Sequence, residues 1–197
     1  MTKCALKNGD IAVATLRTPS DLDALRAEWH PSSNKLLVIK LDVTKPEDIS
    51  SAFKEVKDKL GRIDYVFNNA GYPVVGEIEG VKEVDARAMF EVNFWGAMNV
   101  AKEALEFFRE VNKPQGGYLL NISSTAGLAA KPPMGWYAAS KHGKHPSHAK
   151  VRVPIILINI QLSRERRSPS PRRLILSGTS RYILHTTAKP ACSRLPT

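Results

Sequence analysis

Four short apolar runs in the first 122 residues have the length and composition of buried β-strands. They cover residues 11–16, 36–41, 63–67 and 118–122 and are rich in valine, isoleucine and leucine. Turn-forming or polar residues bound them: Asn8 and Gly9 precede the first run, and Asp42 follows the second. Continuous apolar strands, in contrast to alternating ones, are typical of a parallel sheet that is covered on both faces.

Segments with helical periodicity separate these runs. Residues 21–29, 50–60 and 84–111 place apolar side chains three and four positions apart, and residues 1–8 resemble the end of a further helix. Another helix is expected from about Gly135 to His145. The alternation of strands and helices predicts an α/β fold with a doubly wound parallel sheet. In such folds ligands bind at the carboxyl ends of the strands.

The regular pattern ends near residue 143, where the charge distribution also changes. Residues 1–141 carry 18 basic and 18 acidic side chains, whereas the remaining 56 residues carry 11 basic and one acidic. The net charge of +10 therefore belongs to the last part of the chain. Residues 164–173 consist mainly of arginine, serine and proline. We expect a domain at residues 1–143 and a basic, irregular tail at 144–197 that is disordered or non-native.

Composition and local motifs exclude several classes of protein. No apolar stretch approaches the roughly 20 residues that cross a bilayer, and the first ten residues lack the apolar part of a secretory signal. Cys4 and Cys192 have no metal-ligand spacing. His142, His145 and His148 recur every three residues, but no carboxylate or cysteine is near them, so we expect no metal site. We therefore expect a reduced, cytoplasmic compartment and no membrane partner.

Candidate catalytic residues cluster near the predicted carboxyl edge of the sheet. Tyr137 and Lys141 are four positions apart, so one face of a helix presents both. An ammonium group stabilises a nearby phenolate, which makes such a pair suitable for proton transfer. The spacing alone is common, but Ser124 follows a strand 13 residues before Tyr137. Asp42 and Asn69 follow two other strands at the same predicted edge, so a site is expected there.

At these positions the chain resembles the short-chain dehydrogenases/reductases over about residues 5–143. Four motifs occur in the order and at the spacing of that family: Asn68-Asn69-Ala70-Gly71, Val92-Asn93 with Gly96, Ile122-Ser123-Ser124, and Tyr137 to Lys141. The resemblance implies a Rossmann-like fold. It also implies an NAD(P)-dependent interconversion of a small-molecule alcohol with a ketone or aldehyde.

The resemblance implies a catalytic role for four residues. Tyr137 would be the general acid/base. Lys141 would stabilise the phenolate of Tyr137 and bind the nicotinamide ribose, and Ser124 would position the substrate oxygen. Asn93 would hold the water that links Lys141 to bulk solvent.

Three more residues would belong to the cofactor site. Asp42 would contact the adenine, and Asn69 would line the adenosine side of the cleft. Arg17 stands where NAD-preferring members carry an acidic residue and could pair with a 2′-phosphate, so NADP(H) is favoured over NAD(H). Structural alternatives stay open: Asn68 and Asn69 could tie strand ends together, Asp42 could cap the next helix, and Arg17 could be a solvated strand end.

Parts of the family pattern are not recognisable in the sequence. The family's first strand and Gly-rich turn, which approaches the pyrophosphate, would precede Cys4. An incomplete sheet without its central strand is therefore expected, with two unpaired strand edges. After Gly143 neither the rest of the Tyr137 helix nor the family's Pro-Gly loop is recognisable. These expectations describe a family member truncated at both ends, with impaired activity.

The sequence also suggests partners for the chain. Relatives commonly form dimers or tetramers through the helices of Val84 and Tyr137, so the resemblance implies a homo-oligomer, although early termination of the second helix argues against one. The alternative function is an inactive fragment or pseudo-enzyme whose arginine/serine tail binds nucleic acid or protein. Nucleic acid is the less expected of these partners, because no aromatic platform on which bases could stack accompanies the tail.

Overall fold

The computed structural model describes residues 1–29, 35–130 and 132–143, together with the backbone of residues 173–177. Helices and strands follow one another along these segments. They are α1 (Thr2–Lys7), β1 (Ile11–Leu16), α2 (Asp23–Glu28), β2 (Leu36–Lys40), α3 (Pro46–Leu60), β3 (Tyr65–Asn68), α4 (Glu83–Phe90), α5 (Ala97–Glu110), β4 (Tyr118–Asn121), α6 (Gly135–His142) and β5 (Arg173–Ser177).

Local chemistry explains the bounds of α3, which begins four residues earlier than the periodicity predicted. Pro46 occupies the first turn, where a missing N–H costs nothing, and Glu47 and Asp48 complement the positive end of the helix. The helix ends at Gly61, whose φ of 69° is a left-handed conformation that favours glycine.

All five strands form one parallel sheet in the order β2-β1-β5-β3-β4. In β1, Val13 is in register with Leu37 of β2 on one side and with Ile175 of β5 on the other. In β3, Val66 is in register with Leu119 of β4 and with Ile175 of β5. The predicted parallel α/β architecture is thus confirmed.

The centre of the sheet differs from the expectation. β5 lies between β1 and β3 and pairs with both, so the two unpaired edges expected there are not observed. The expectation of an irregular tail is likewise wrong for residues 173–177. Only Leu174, Ile175 and Leu176 form the apolar part of this strand, a run too short to distinguish from the unpatterned sequence around it.

The hydrophobic core lies mainly on the sheet face that α3 and α5 cover. Phe53 of α3 and Phe107 of α5 meet there with ring centroids 5.9 Å apart, and Val13 and Val66 contribute from the strands. A smaller apolar cluster lies elsewhere, where α1 and α2 supply Leu6 and Leu25 against Ala12 of β1. The sheet is therefore packed by helices of both halves of the chain.

The helical stretch predicted at residues 84–111 is present but contains a local change of winding. A π-helical segment, Glu91–Gly96, joins α4 to α5. At its end a Cβ on Gly96 would lie 2.8 Å from the carbonyl oxygen of Val43, so the absence of a side chain allows close packing there. Such segments often occur at functional sites. Among the described helices, none is long and apolar enough to span a membrane.

Candidate active site

The carboxyl ends of four parallel strands bring the predicted site residues to one edge of the sheet. Arg17 directly follows β1, and Asp42 lies two residues beyond β2. Asn69 directly follows β3, and Ser124 lies three residues beyond β4. The register of the sheet places these strand ends at the same edge, as the sequence predicted.

Asn93, in the π-helical segment, links the loop after β3 to α6. Its Oδ1 accepts the backbone N–H of Tyr72 at 2.9 Å, and its Nδ2 donates to the Tyr72 carbonyl at 2.9 Å. The same Nδ2 donates to Ser140 Oγ at 3.1 Å. The side chain is fully buried, so these bonds fix its orientation.

Gly71, in the loop after β3, closely approaches two of the predicted site residues. A Cβ at this position would lie 2.8 Å from Asn93 Oδ1 and 3.3 Å from Lys141 Nζ. Asn93 and Lys141 are therefore neighbours across the backbone of Gly71, and the site requires a residue without a side chain there.

Lys141 of α6 is 4% exposed, an uncommon burial for a lysine. Its Nζ donates to the carbonyl of Ile122 at 3.3 Å, just beyond β4. Burial lowers the pKa of Lys141 from its ordinary value of 10.5, because the charged ammonium loses hydration. The Nζ atom lies 5.7 Å from the ring centroid of Tyr137, so the predicted proton-transfer pair is side by side.

Ser124 is held at the end of β4 by a short 3₁₀ turn, Thr125–Gly127. Its Oγ accepts the backbone N–H of Ala126 at 3.2 Å. The turn packs against α6: a Cβ on Gly127 would lie 3.2 Å from Cβ of Lys141. The strand end that carries Ser124 is thus in contact with the helix that carries Tyr137 and Lys141.

The carboxylate of Asp42 is oriented by its own loop. Its Oδ1 accepts the N–H of Thr44 at 3.0 Å and the Thr44 hydroxyl at 2.8 Å, whereas Lys45 is the N-cap residue of α3. Partial burial acts to raise the pKa of Asp42, but the Thr44 hydrogen bonds and the positive charges of Arg17 and Lys45 outweigh it and lower the pKa. Exposed Arg17 therefore lies within electrostatic reach of Asp42.

The two asparagines at the end of β3 have different surroundings. Asn68 is fully buried, and its Nδ2 donates to the carbonyl of Ala97 at 2.7 Å and to Asn121 Oδ1 at 2.8 Å. It ties β3 to β4 and to α5, which supports the structural alternative for this residue. Asn69 is half-buried at the strand end.

Sequence reasoning did not single out three parts of this arrangement. They are Gly71, the Ile122 carbonyl and Ser140, whose Oγ donates to the carbonyl of Tyr137 at 2.7 Å. All three lie within the quoted motifs, and only their membership in those motifs could have drawn attention to them. Close approach and burial depend on tertiary contacts, which motif spacing does not describe.

The structure describes one of the three spaced histidines and also contains a surface cleft. His142 Nδ1 lies 3.2 Å from the carbonyl of Ala138, while His145 and His148 are outside the described residues. Within the described segments, no group of three side chains is arranged to hold a metal. A cleft of about 470 Å³ lies between α4 and Trp136, and none of the predicted site residues lines it.

The chain belongs to the short chain dehydrogenase family, whose sequence model matches residues 1–156. The match extends 13 residues beyond residue 143, where the resemblance described above ends. It includes the loop after β3, the π-helical segment and α6, which together form the buried part of the site.

Curated relatives agree with this assignment. The chain is 40% identical over 141 residues to the uncharacterized oxidoreductase C162.03 of Schizosaccharomyces pombe, covering 72% of this chain and 45% of that protein. It is 39% identical over 140 residues to oxidoreductase calM of Penicillium decumbens, covering 70% and 45%. The chain thus spans about half the length of the curated relatives it matches.

Solved structures show the same fold. A short-chain dehydrogenase from Streptomyces avermitilis matches with a TM-score of 0.65 at 31% identity, covering 72% of this chain and 51% of that one. ElxO with NADP bound matches with a TM-score of 0.63 at 28% identity, covering 70% and 55%. These similarities establish a Rossmann-type α/β fold of the family.

Proposed function

We propose that this chain is an NADP(H)-dependent oxidoreductase that interconverts a small-molecule alcohol and the corresponding carbonyl compound. The observation that carries the proposal is the buried ammonium of Lys141 beside the ring of Tyr137. Burying a charge costs free energy unless it is paired and hydrogen-bonded, and buried titratable groups concentrate at functional sites. Family membership supports the same reaction class.

The side chains at the carboxyl edge of the sheet fit NADP(H). An ammonium carries three protons, and among the described residues Lys141 makes one hydrogen bond, to the Ile122 carbonyl. The remaining protons suit the ribose hydroxyls. Arg17 is exposed at the end of β1 and suits a 2′-phosphate. Asp42 is proposed to contact the adenine, and Asn69 to line the adenosine side.

The bound cofactor would supply or accept hydride, and the chain's own residues would handle the proton and the substrate oxygen. Ser124 Oγ already accepts the Ala126 N–H, so its own hydrogen is available to donate to a substrate carbonyl. The Tyr137 hydroxyl would give its proton to that oxygen during reduction. Both groups would therefore stabilise charge that develops on the oxygen.

Lys141 and Asn93 are proposed to return the proton to Tyr137. The lowered pKa of Lys141 makes its ammonium a readier proton donor than an exposed lysine. Among the described residues, Asn93 Oδ1 accepts one hydrogen bond, from Tyr72, and an amide oxygen can accept two. We assign the second to the water that would connect Lys141 to solvent.

The test is NADPH oxidation by the full chain with a panel of aldehydes and ketones. Tyr137→Phe should lower kcat by about 10²- to 10⁴-fold, because it removes the general acid. Tyr118→Phe is the matched control: Tyr118 stacks on Tyr65 at the start of β4, with centroids 4.9 Å apart, far along the strand from the site. Its rate should be unchanged.

Equal rates for the chain and for Tyr137→Phe would contradict the proposal, as would faster oxidation of NADH than of NADPH. Activity below that of longer relatives is part of the proposal, since the chain spans about half of their length. NADPH fluorescence on binding provides a second readout where turnover is slow.

A homo-oligomer is the proposed assembly. Exposed Val84, Trp95 and Met98 lie along the helical stretch from α4 to α5, where burial against a second copy would remove apolar area from water. Sedimentation velocity should show a dimer or larger species that Trp95→Lys weakens. A monomer at all accessible concentrations would contradict this assembly.

A further inference from the structure

β5 has an unusual relation to the rest of the sheet, because it comes after every other described element and lies at the sheet's centre. Five of its residues are in register with β1, from Ile11↔Arg173 to Thr15↔Ser177. Four are in register with β3, from Tyr65↔Leu174 to Asn68↔Ser177. In the described sheet, β5 is the connection between the β2-β1 half and the β3-β4 half.

The order of the strands reverses at β5. From β1 the chain moves outward to β2, and from β3 it moves outward in the opposite direction to β4. In doubly wound folds, dinucleotides bind at such a switch point, in the crevice outside the carboxyl ends of the strands. Ser177 ends β5 and is aligned with Thr15, two residues before Arg17, and with Asn68, the residue before Asn69.

We propose that residues 173–177 supply the central strand of the cofactor-binding sheet, and that NADP(H) binding depends on the insertion of this strand. The dependence on cofactor rests on the proposed function. The strand assignment does not, since it concerns only the backbone pairing. Residues 173–177 are then a structural part of the domain, although the composition around them predicts an irregular segment.

The physical reason is the exposure that loss of β5 would cause. Val13 of β1 and Val66 of β3 are fully buried and are both in register with Ile175. Without β5 the backbone groups of β1 and β3 that face it would lose their partners, and water would reach the core between them. The ends of β1 and β3 would no longer be held at a fixed separation, so Arg17 and Asn69 could not act on one ligand.

Hydrogen exchange of the full chain, without cofactor, tests the strand. Slow exchange is expected in peptides that cover β5, β1 and β3. Ile175→Pro should remove this protection from all three, because proline has no N–H and is not accommodated in a central strand. Ile183→Pro makes the same chemical change outside β5 and should leave the protection in place.

Exchange of residues 173–177 at the unprotected rate in the unmodified chain would overturn the assignment, even if Ile175→Pro fails to fold. Equal loss of protection in both variants would overturn it as well, because the effect would not be specific to the strand.

NADPH titration of the same three proteins tests the dependence on cofactor. Binding should weaken by about tenfold or more in Ile175→Pro and remain unchanged in Ile183→Pro. Unchanged affinity in Ile175→Pro would refute the dependence. If the unmodified chain binds no NADPH although β5 is protected, the strand assignment stands and the proposed function fails.

Discussion

Two regions at the same edge of the sheet are built in different ways. The catalytic corner is the part of the site proposed for catalysis and is defined as Gly71, Asn93, Ser140 and Lys141. Its three side chains are buried, and it is held by hydrogen bonds between distant parts of the chain, such as Asn93 to Ser140. The nucleotide corner, defined as Arg17 and Asp42, is more exposed, and Asp42 is held by a residue two positions away. The first depends on the whole fold, whereas the second can change without disturbing it.

Gly71→Ala should produce the largest effect, because it acts on the catalytic corner directly. The added methyl group would overlap Asn93 Oδ1 and press on Lys141. We expect a loss of about 1–3 kcal/mol in the free energy of unfolding and loss of carbonyl reduction. Denaturant unfolding and NADPH oxidation measure the two effects.

Gly80→Ala is the control for this substitution. Gly80 lies in the same loop between β3 and α4, and a Cβ there would be 3.6 Å from its nearest neighbour, the Glu77 carbonyl, an ordinary contact. If both alanine variants were equally stable and active, the close approach at Gly71 would have no consequence, and the contrast between the two corners would be lost.

Arg17→Ala should affect cofactor choice and leave the fold intact. Removing a guanidinium that pairs with a phosphate should raise KM for NADPH by about tenfold or more. KM for NADH should change little, since that cofactor has no 2′-phosphate. Thermal unfolding should be unaltered because the side chain is exposed. Parallel increases of both KM values would argue against phosphate recognition by Arg17.

Lys141→Met should abolish activity but stabilise the protein near neutral pH. The pKa of Lys141 is lowered on folding, so the unfolded chain binds this proton more tightly, and the charged ammonium penalises the folded state at low pH. That penalty disappears as pH rises through the folded pKa toward 10.5. The gain in Tm over the unmodified chain should therefore be largest below the folded pKa and shrink as pH rises toward 10.5. A gain that is constant with pH would contradict this account.

Asp42→Asn should have the smallest effect. Its folded pKa is lowered, so the carboxylate stabilises the fold above the unfolded value of 3.8, and this contribution is lost as pH falls through the folded pKa. The variant should be less stable at neutral pH by under about 1 kcal/mol, because the group is partly exposed. Unfolding at several pH values, with Asp58→Asn on α3 as the control, would reveal whether the difference disappears in acid.

How far the sequence predicts this molecule depends on the range of the interactions involved. Continuous apolar runs such as 11–16 and helical repeats such as 50–60 report local burial, so the strands and helices around them could be predicted. The short run of Leu174, Ile175 and Leu176 carries no comparable signal, because only its two partner strands make it central.

The candidate site shows the same distinction. Residues in motifs, such as Tyr137 and Asn93, could be assigned from spacing. The contact of Gly71 with Lys141 and the deep burial of that lysine could not, since they arise when the loop after β3 packs against α6. For Asp42 the sequence left helix capping open as an alternative, whereas its carboxylate accepts hydrogen bonds from Thr44 in its own loop.

The position of β5 has a consequence for synthesis of the chain. About fifty residues separate the end of β4 from Arg173, which corresponds to roughly 3 to 10 seconds of translation at 5–20 residues per second. During that interval the inner edges of β1 and β3 have emerged or are emerging without their common neighbour. Nascent chains of this protein should therefore be most vulnerable to aggregation, and most dependent on chaperones, late in elongation.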